Sequence, residues 1–296
     1  NKYFAEFNAG YNGSEQFAKG NRFGFFPAVS GAWVISNENF FTDNNIVTQL
    51  KLRGSYGKVG NDRIGDRRFL YLDDVTFGGG GYSGSLGLGT RIYTNLLKNE
   101  KLQWETSRKL NVGLEIGLFN DLNLVVDVFS EKRDNVLRSR GTIPVLNGLP
   151  MRTLPPVNIG VIENKGYEIE LNYKKAFTSD FSFLSRVNVS YARNKQLFAD
   201  EPLLPEAYAY RYRETGYSIG QAFGYIVDGY FADDNDVLKS PVQTVGGHES
   251  RPGDFKYKDL NNDNVIDYKD RAPIGYSSVP EYTVGAAFNV NYKRFD

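Results

Sequence analysis

Lys109-Leu110-Asn111-Val112-Gly113-Leu114-Glu115-Ile116-Gly117-Leu118 carries an apolar residue at every even position and a polar residue or glycine at every odd one. A period of two makes a β-strand with one apolar and one polar face. The pattern returns where Tyr167, Ile169, Leu171 and Tyr173 alternate with Glu168, Glu170, Asn172 and Lys174. It returns again over 186–191 and 282–293, and over 3–11, 23–35, 50–56 and 122–128. That makes about eight strands. Several exceed the roughly 5–6 residues usual in soluble sheets and approach the roughly 9–11 that a tilted bilayer crossing needs.

The connections alternate in length. Phe119-Asn120-Asp121 joins one strand pair and Thr178-Ser179-Asp180 another, whereas 61–101, 139–157 and 197–281 are long and rich in Gly, Pro, Asp and Asn. Loops beyond about 12–15 residues are uncommon in compact soluble domains. Short turns at one end and long loops at the other are the asymmetry of an outer-membrane barrel, with the long loops outside the cell. Counting alternate strand directions predicts that all three long loops leave from one face. Trp33 and Trp104 share parity with the apolar residues of their strands and lie near strand ends. Both are therefore expected to point outward in an interfacial aromatic belt. A soluble β-sandwich with decorated loops fits the same alternation and stays open at this point.

Composition narrows the function. The 296 residues hold 35 Lys+Arg against 35 Asp+Glu, which argues against a general nucleic-acid binder. Cysteine is absent and His248 is the sole histidine. Thiol chemistry and a multi-His metal centre are thereby excluded within this chain. No apolar run approaches the roughly 18 residues of a membrane helix. The first residue is Asn1, and the strand pattern begins almost at once. We expect a segment of a longer polypeptide.

Asp259-Leu260-Asn261-Asn262-Asp263-Asn264-Val265-Ile266-Asp267-Tyr268-Lys269-Asp270 is the sharpest local motif. Asp259, Asn261, Asp263, Asp267 and Asp270 place oxygen side chains at the spacing of a calcium loop, and Val265 supplies a backbone carbonyl between them. Asn264 replaces the usual glycine, and Asp270 replaces the longer Glu that would reach the ion with both oxygens. No amphipathic helices flank the loop. The expectation is a structural Ca²⁺ and no organic cofactor, with an ion-free Asx-rich turn as the alternative. The glycine runs at 78–81 and 84–89 lack the Lys-Ser/Thr and helix of a phosphate loop and read as flexible connection. Tyr82, Tyr93, Tyr208, Tyr210, Arg211, Tyr212 and Arg213 interleave aromatic faces with cations in the long loops, which suits contact with a glycan or peptide. Plain packing between loops suits them equally. Asp73-Asp74 and Asp233-Asp234 are adjacent acids and read as solvated loop charge rather than a catalytic pair.

Five segments together resemble the SusC/RagA type of TonB-dependent outer-membrane transporter of Bacteroidetes. They are Asn21-Arg22-Phe23-Gly24-Phe25-Phe26-Pro27-Ala28-Val29-Ser30-Gly31-Ala32-Trp33-Val34-Ile35-Ser36, Gln49-Leu50-Lys51-Leu52-Arg53-Gly54-Ser55-Tyr56-Gly57-Lys58-Val59-Gly60-Asn61, Gln103-Trp104-Glu105-Thr106-Ser107, Gly113-Leu114-Glu115-Ile116-Gly117-Leu118-Phe119-Asn120 and Asn164-Lys165-Gly166-Tyr167-Glu168. Their order matches as well, and the resemblance covers nearly the whole of residues 1–296. It implies an all-β antiparallel transmembrane barrel of about 22 strands, of which this chain would supply about eight. It implies a separate plug and a TonB box, neither of which this chain shows.

The resemblance further implies residence in the outer membrane of a Gram-negative cell and energy-dependent uptake of an oligosaccharide or peptide. The partners it implies are a SusD-like surface lipoprotein, outer-membrane lipid, and TonB–ExbB–ExbD through the missing N-terminal part. No covalent chemistry is required, so the expectation is that the chain is not an enzyme. Two other readings stand beside it: a soluble calcium-stabilised β domain of a secreted carbohydrate-binding protein, and a glycosidase or barrel hydrolase.

Overall fold

A computed structural model describes residues 1–41, 45–65, 67–81, 89–143, 148, 150–202, 205 and 213–295. Along the chain run β1 (Tyr3–Gly13), β2 (Phe23–Val34), β3 (Val47–Asn61), β4 (Asp74–Gly81), β5 (Gly89–Leu96), β6 (Glu105–Leu118) and β7 (Leu122–Arg138). Then come β8 (Val157–Ala176), β9 (Phe181–Phe198), β10 (Gln221–Tyr225), β11 (Val227–Tyr230), the single turn-length helix α1 (Asp234–Lys239) and β12 (Val242–Gln243). The chain finishes with β13 (Phe255–Tyr257), β14 (Val265–Ile266), β15 (Arg271–Ser277) and β16 (Tyr282–Tyr292).

Eight of these strands form one sheet in the order β1-β2-β3-β6-β7-β8-β9-β16. This is the up-and-down order expected from the alternation. The ladders β3–β6, β7–β8 and β9–β16 are antiparallel, so connections 62–104 and 139–156 leave from one end of the sheet, where β9 also ends and β16 begins. The turns at the other end are short because their residues accept the backbone they require. Phe119 and Asn120 both have positive φ, 56° and 62°, and Asp121 N–H closes onto Leu118 C=O at 3.2 Å. Two consecutive left-handed residues match the twist of flanking strands in a tight hairpin.

The sheet has two unlike faces. Leu52, Leu114, Val126 and Ile169 are register partners across four strands, and so are Leu50, Ile116, Leu124 and Leu171. One residue along, the partners are Arg53, Gly113, Asp127 and Glu168. The apolar face is uncovered: Phe7 is 69% exposed, and Val284 and Phe288 are 67% exposed. So continuous an apolar surface in water would drive aggregation, and burying it in lipid removes that penalty.

The chain divides into two compact units. The first comprises residues 1–139, 145–194 and 281–296, the second 140–144 and 195–280. In the first, a small core of Phe17, Ile64, Leu70, Leu96 and Leu102 gathers residues from the long connections. Here two expectations are corrected. The glycine run at 78–81 is not plain flexible connection, because it ends β4, which pairs with β5 as an antiparallel hairpin, while 84–88 lie outside the described residues. Trp104 does not point outward. It sits just before β6, packs on Phe17 and Phe26 with ring centroids 5.4 and 5.2 Å away, and donates its Nε1–H to Arg22 C=O at 3.1 Å. Parity holds only inside a strand, and Trp104 lies one residue outside it. Trp33 keeps its parity: it is the register partner of Leu52, and its ring stacks on Tyr3 at 6.4 Å.

Among its described residues, the second unit holds α1 and short strands, in pairs β10–β15, β11–β13 and the parallel pair β12–β14. Among the described residues, Ala199, Phe231, Ile266 and Ala272 are its buried apolar residues.

Candidate functional site

The charged face of the sheet collects side chains from β3, β6 and β7 into one network. Lys51 Nζ donates to Glu115 at 3.1 Å, Arg53 Nε donates to the same carboxylate at 3.0 Å, and Arg53 Nη2 donates to Asp127 at 2.6 Å. Register explains the contacts: Lys51 lies opposite Glu115, and Arg53, Gly113 and Asp127 share a row. Room for the guanidinium comes from Gly113, where a Cβ would stand 2.6 Å from Asp127 Oδ1 and 2.7 Å from Arg53 Cζ. Asp127 is 91% withdrawn from solvent by its 9% exposure, and its Oδ1 has no hydrogen-bond partner.

Concavities open on this face. One of about 600 Å³ is lined by Glu6, Ser30, Lys51, Arg53, Ser55 and Asn111. A second of about 250 Å³ is lined by Asp127, Glu168, Glu170, Asn188 and Ser190 among others. The first presents two cations and the Glu6 carboxylate with amide and hydroxyl groups, and the second presents carboxylates. Such a wall can offer charge-assisted hydrogen bonds to polar matter. Lys51, Arg53 and Asp127 were not singled out from the sequence. Their odd numbering, in step with Asn111 and Glu115, was the available signal.

The 259–270 loop is held by its own acids. Asp259 accepts the N–H groups of Asn262 and Asn264 at 2.7 and 2.8 Å, and Asp263 accepts that of Val265 at 2.9 Å. Asn262 and Asn264 both take positive φ, 59° and 61°, which Asn tolerates. Asn261 donates to Asp263 at 3.0 Å. Lys269 Nζ lies 3.4 Å from Asp263 and 3.7 Å from Asp267, and the loop's hydrogen bonds and this ammonium hold the Asp263 carboxyl below its ordinary value. Asp270 is fully buried and spends its two oxygens on the N–H groups of Leu260 and Asp267, at 2.9 and 2.8 Å. Among the described residues, no three His, Cys, Asp or Glu side chains gather closely enough to share an ion. As folded, the loop draws its positive charge from Lys269.

Of the aromatic and cationic loop residues, Tyr93 is half-exposed on β5 and Arg213 is exposed. Tyr82, Tyr208, Tyr210, Arg211 and Tyr212 lie outside the described residues. His248 is exposed, as its glycine-flanked position suggests, and Asp233 caps α1 by accepting Asp236 N–H at 2.8 Å.

Known proteins share this architecture. The family model described as "TonB dependent receptor-like, beta-barrel" matches residues 2–295. "TonB-dependent receptor P3" of Formosa agariphila is 32% identical over 100% of this chain and 29% of its own length. "TonB-dependent receptor SusC" of Bacteroides thetaiotaomicron is 30% identical, again over 100% of this chain and 29% of its own. The chain thus spans less than a third of these relatives. The structure of the RagAB peptide transporter superposes with a TM-score of 0.71 at 22% identity, covering 99% of this chain and 30% of that one, a likeness of fold alone.

Proposed function

We propose, from the premise that this chain belongs to the TonB-dependent receptor-like β-barrel family, that it forms part of the wall of an outer-membrane nutrient importer. The observation that carries this reading is the two-faced sheet. One face is apolar and uncovered, and the other binds Lys51, Arg53, Glu115 and Asp127 into a charged surface. A barrel wall between lipid and a polar lumen requires that division. The cargo we propose is an oligosaccharide or a peptide, since the inner face offers cations, carboxylates and amides. RagAB, which shares the fold, is a peptide transporter, and SusC is a relative at 30% identity.

By the same kinship we propose a SusD-like surface lipoprotein meeting the long-loop end, and energy supplied by TonB–ExbB–ExbD through a part of the protein beyond this chain. For residues 259–270 we propose a structural calcium that displaces Lys269 Nζ, held by Asp259, Asn261, Asp263 and Asp267 with the Val265 carbonyl, while Asp270 keeps its backbone hydrogen bonds.

The test is uptake by the complete protein in its native host. Deleting the gene should abolish import of one glycan or peptide class, and complementation should restore it. A tagged copy should require detergent for extraction from the outer membrane and should carry a lipoprotein with it. Full solubility without detergent would favour the secreted carbohydrate-binding alternative instead.

A further inference from the structure

Above the apolar rows, the same outward face changes character. Lys58, Arg108 and Lys132 are register partners on β3, β6 and β7, at the long-loop ends of those strands, and Glu163 of β8 continues the row opposite Lys132. Neighbouring strands lie about 4.8 Å apart, so three cations stand within about 10 Å. Like charges placed directly opposite one another destabilise a sheet. On the opposite face, the cations of β3 are matched by Glu115 and Asp127. Here the matching is incomplete. Arg108 pairs with Asp134, and Lys165, one row below on β8, pairs with Glu163 at 2.8 Å. Among the described residues, the ammonium groups of Lys58 and Lys132 have no ion-pair partner, and Lys132 is exposed. Four cations thus meet two carboxylates.

The position of the row says what completes it. The next outward residues along the strands are Tyr56, Leu110 and Ser130, followed by Val112, Val128 and Tyr167. Tyr167 packs on Tyr191 at 5.5 Å, and Tyr191 on Tyr282 at 4.7 Å, making an aromatic band. Such bands mark the level where hydrocarbon gives way to headgroups. The cations lie just beyond it, where a lipid headgroup presents its charge.

We infer that Lys58, Arg108 and Lys132, with Lys165 beside them, form a binding surface for the phosphate of an anionic glycolipid headgroup in the outer leaflet. Arg108 supplies a planar fork and the lysines supply point charges to a phosphate. The inference rests on the barrel-wall reading above.

The test compares the complete membrane protein with a K58Q/R108Q/K132Q variant, each reconstituted in phosphatidylethanolamine bilayers and read by native mass spectrometry of retained lipid. The additions are bisphosphorylated lipid A, dephosphorylated lipid A, or inorganic phosphate alone. The wild type should retain bisphosphorylated lipid A on the order of a hundred-fold more tightly than the variant, about fivefold per cation. It should discriminate against the dephosphorylated form and ignore millimolar inorganic phosphate. Equal retention by the two proteins, no discrimination between the two lipids, or equal binding of free phosphate would each overturn the inference. Heat-modifiable migration reports insertion separately. A protein that never enters the outer membrane sinks the barrel-wall reading, whereas an inserted protein indifferent to the phosphate sinks this inference alone. Should the triple variant fail to insert, K132Q removes one exposed cation and should lose about fivefold.

Discussion

The sheet and the 195–280 unit are ordered by opposite means. In the sheet, strands of up to 20 residues pair in long antiparallel ladders, and side chains alternate between an apolar and a charged face. In the 195–280 unit no strand exceeds seven residues, and order comes from polar side chains closing onto backbone. Asp259, Asp267 and Asp270 clip one loop, and Gln243 ties β12 to β13 by accepting Tyr257 N–H at 2.8 Å and donating to Phe255 C=O at 3.0 Å. A sheet of the first kind tolerates many substitutions of like polarity. A unit of the second kind depends on particular oxygen atoms.

The sharpest way to break this comparison is to put charge on the apolar face. Leu114→Arg should cost about 2–4 kcal/mol if Leu114 lies near mid-bilayer. Urea unfolding of the complete barrel in lipid measures it, and a cost near zero would mean that the apolar face does not meet hydrocarbon. Next comes backbone proximity. A Cβ at Gly166 would stand 2.0 Å from Tyr191 C=O and 2.6 Å from Phe129 Cζ. Gly166→Val should therefore cost about 1–3 kcal/mol or more by overpacking, read in the same assay, with loss of heat-modifiable migration if β8 and β9 separate.

In the polar unit the matching test is Asp270→Asn, which leaves one of two backbone N–H groups without its carboxylate. It should cost about 1–3 kcal/mol locally, seen as faster hydrogen exchange at Leu260 and Asp267 with β3, β6 and β7 unchanged. Exchange rising equally in both units would erase the distinction between them.

A pH experiment sharpens the comparison at the short-turn end of the sheet. Glu38 accepts from Lys2 Nζ and Trp33 Nε1, both at 3.0 Å, and from the Tyr3 hydroxyl. The Tyr3 hydrogen bond first, then those of Lys2 and Trp33, push its carboxyl down to about 2 from an ordinary 4.5. A depressed acid stabilises the folded form above its ordinary value. That contribution fades as pH falls from about 4.5 and is gone below about 2. Trp33 emission in a Trp104→Phe background should shift with a midpoint near 2, and a midpoint near 4.5 would show that the clip is not formed.

The smallest expected effect is that of calcium. Millimolar Ca²⁺ should slow proteolysis of the 259–270 loop modestly, and Lys269→Met, by removing the competing ammonium, should strengthen the response. No response in either protein would leave the loop closed by Lys269 and Asp270 alone.

Period two was enough to read β6, β8, β9 and β16, their apolar and polar faces, the tight turn at Phe119-Asn120-Asp121 and hence the up-and-down order of the sheet. A strand's faces are a property of its own sequence, because successive side chains must point to opposite sides. What depends on neighbours was out of reach. Trp104 turned into a core because Phe17 and Phe26 wait there, brought from β2 and the connection before it. The Arg53 guanidinium found Asp127, 74 residues away, because two registers and a glycine at 113 made the space. The spacing of oxygen residues at 259–270 announced a calcium loop, yet only the folded chain turned Asp270 inward to two backbone N–H groups and set Lys269 against Asp263 and Asp267. Local alternation determines which face a residue takes, and tertiary structure decides which distant group meets it there, because that depends on strand register and on the space left between side chains.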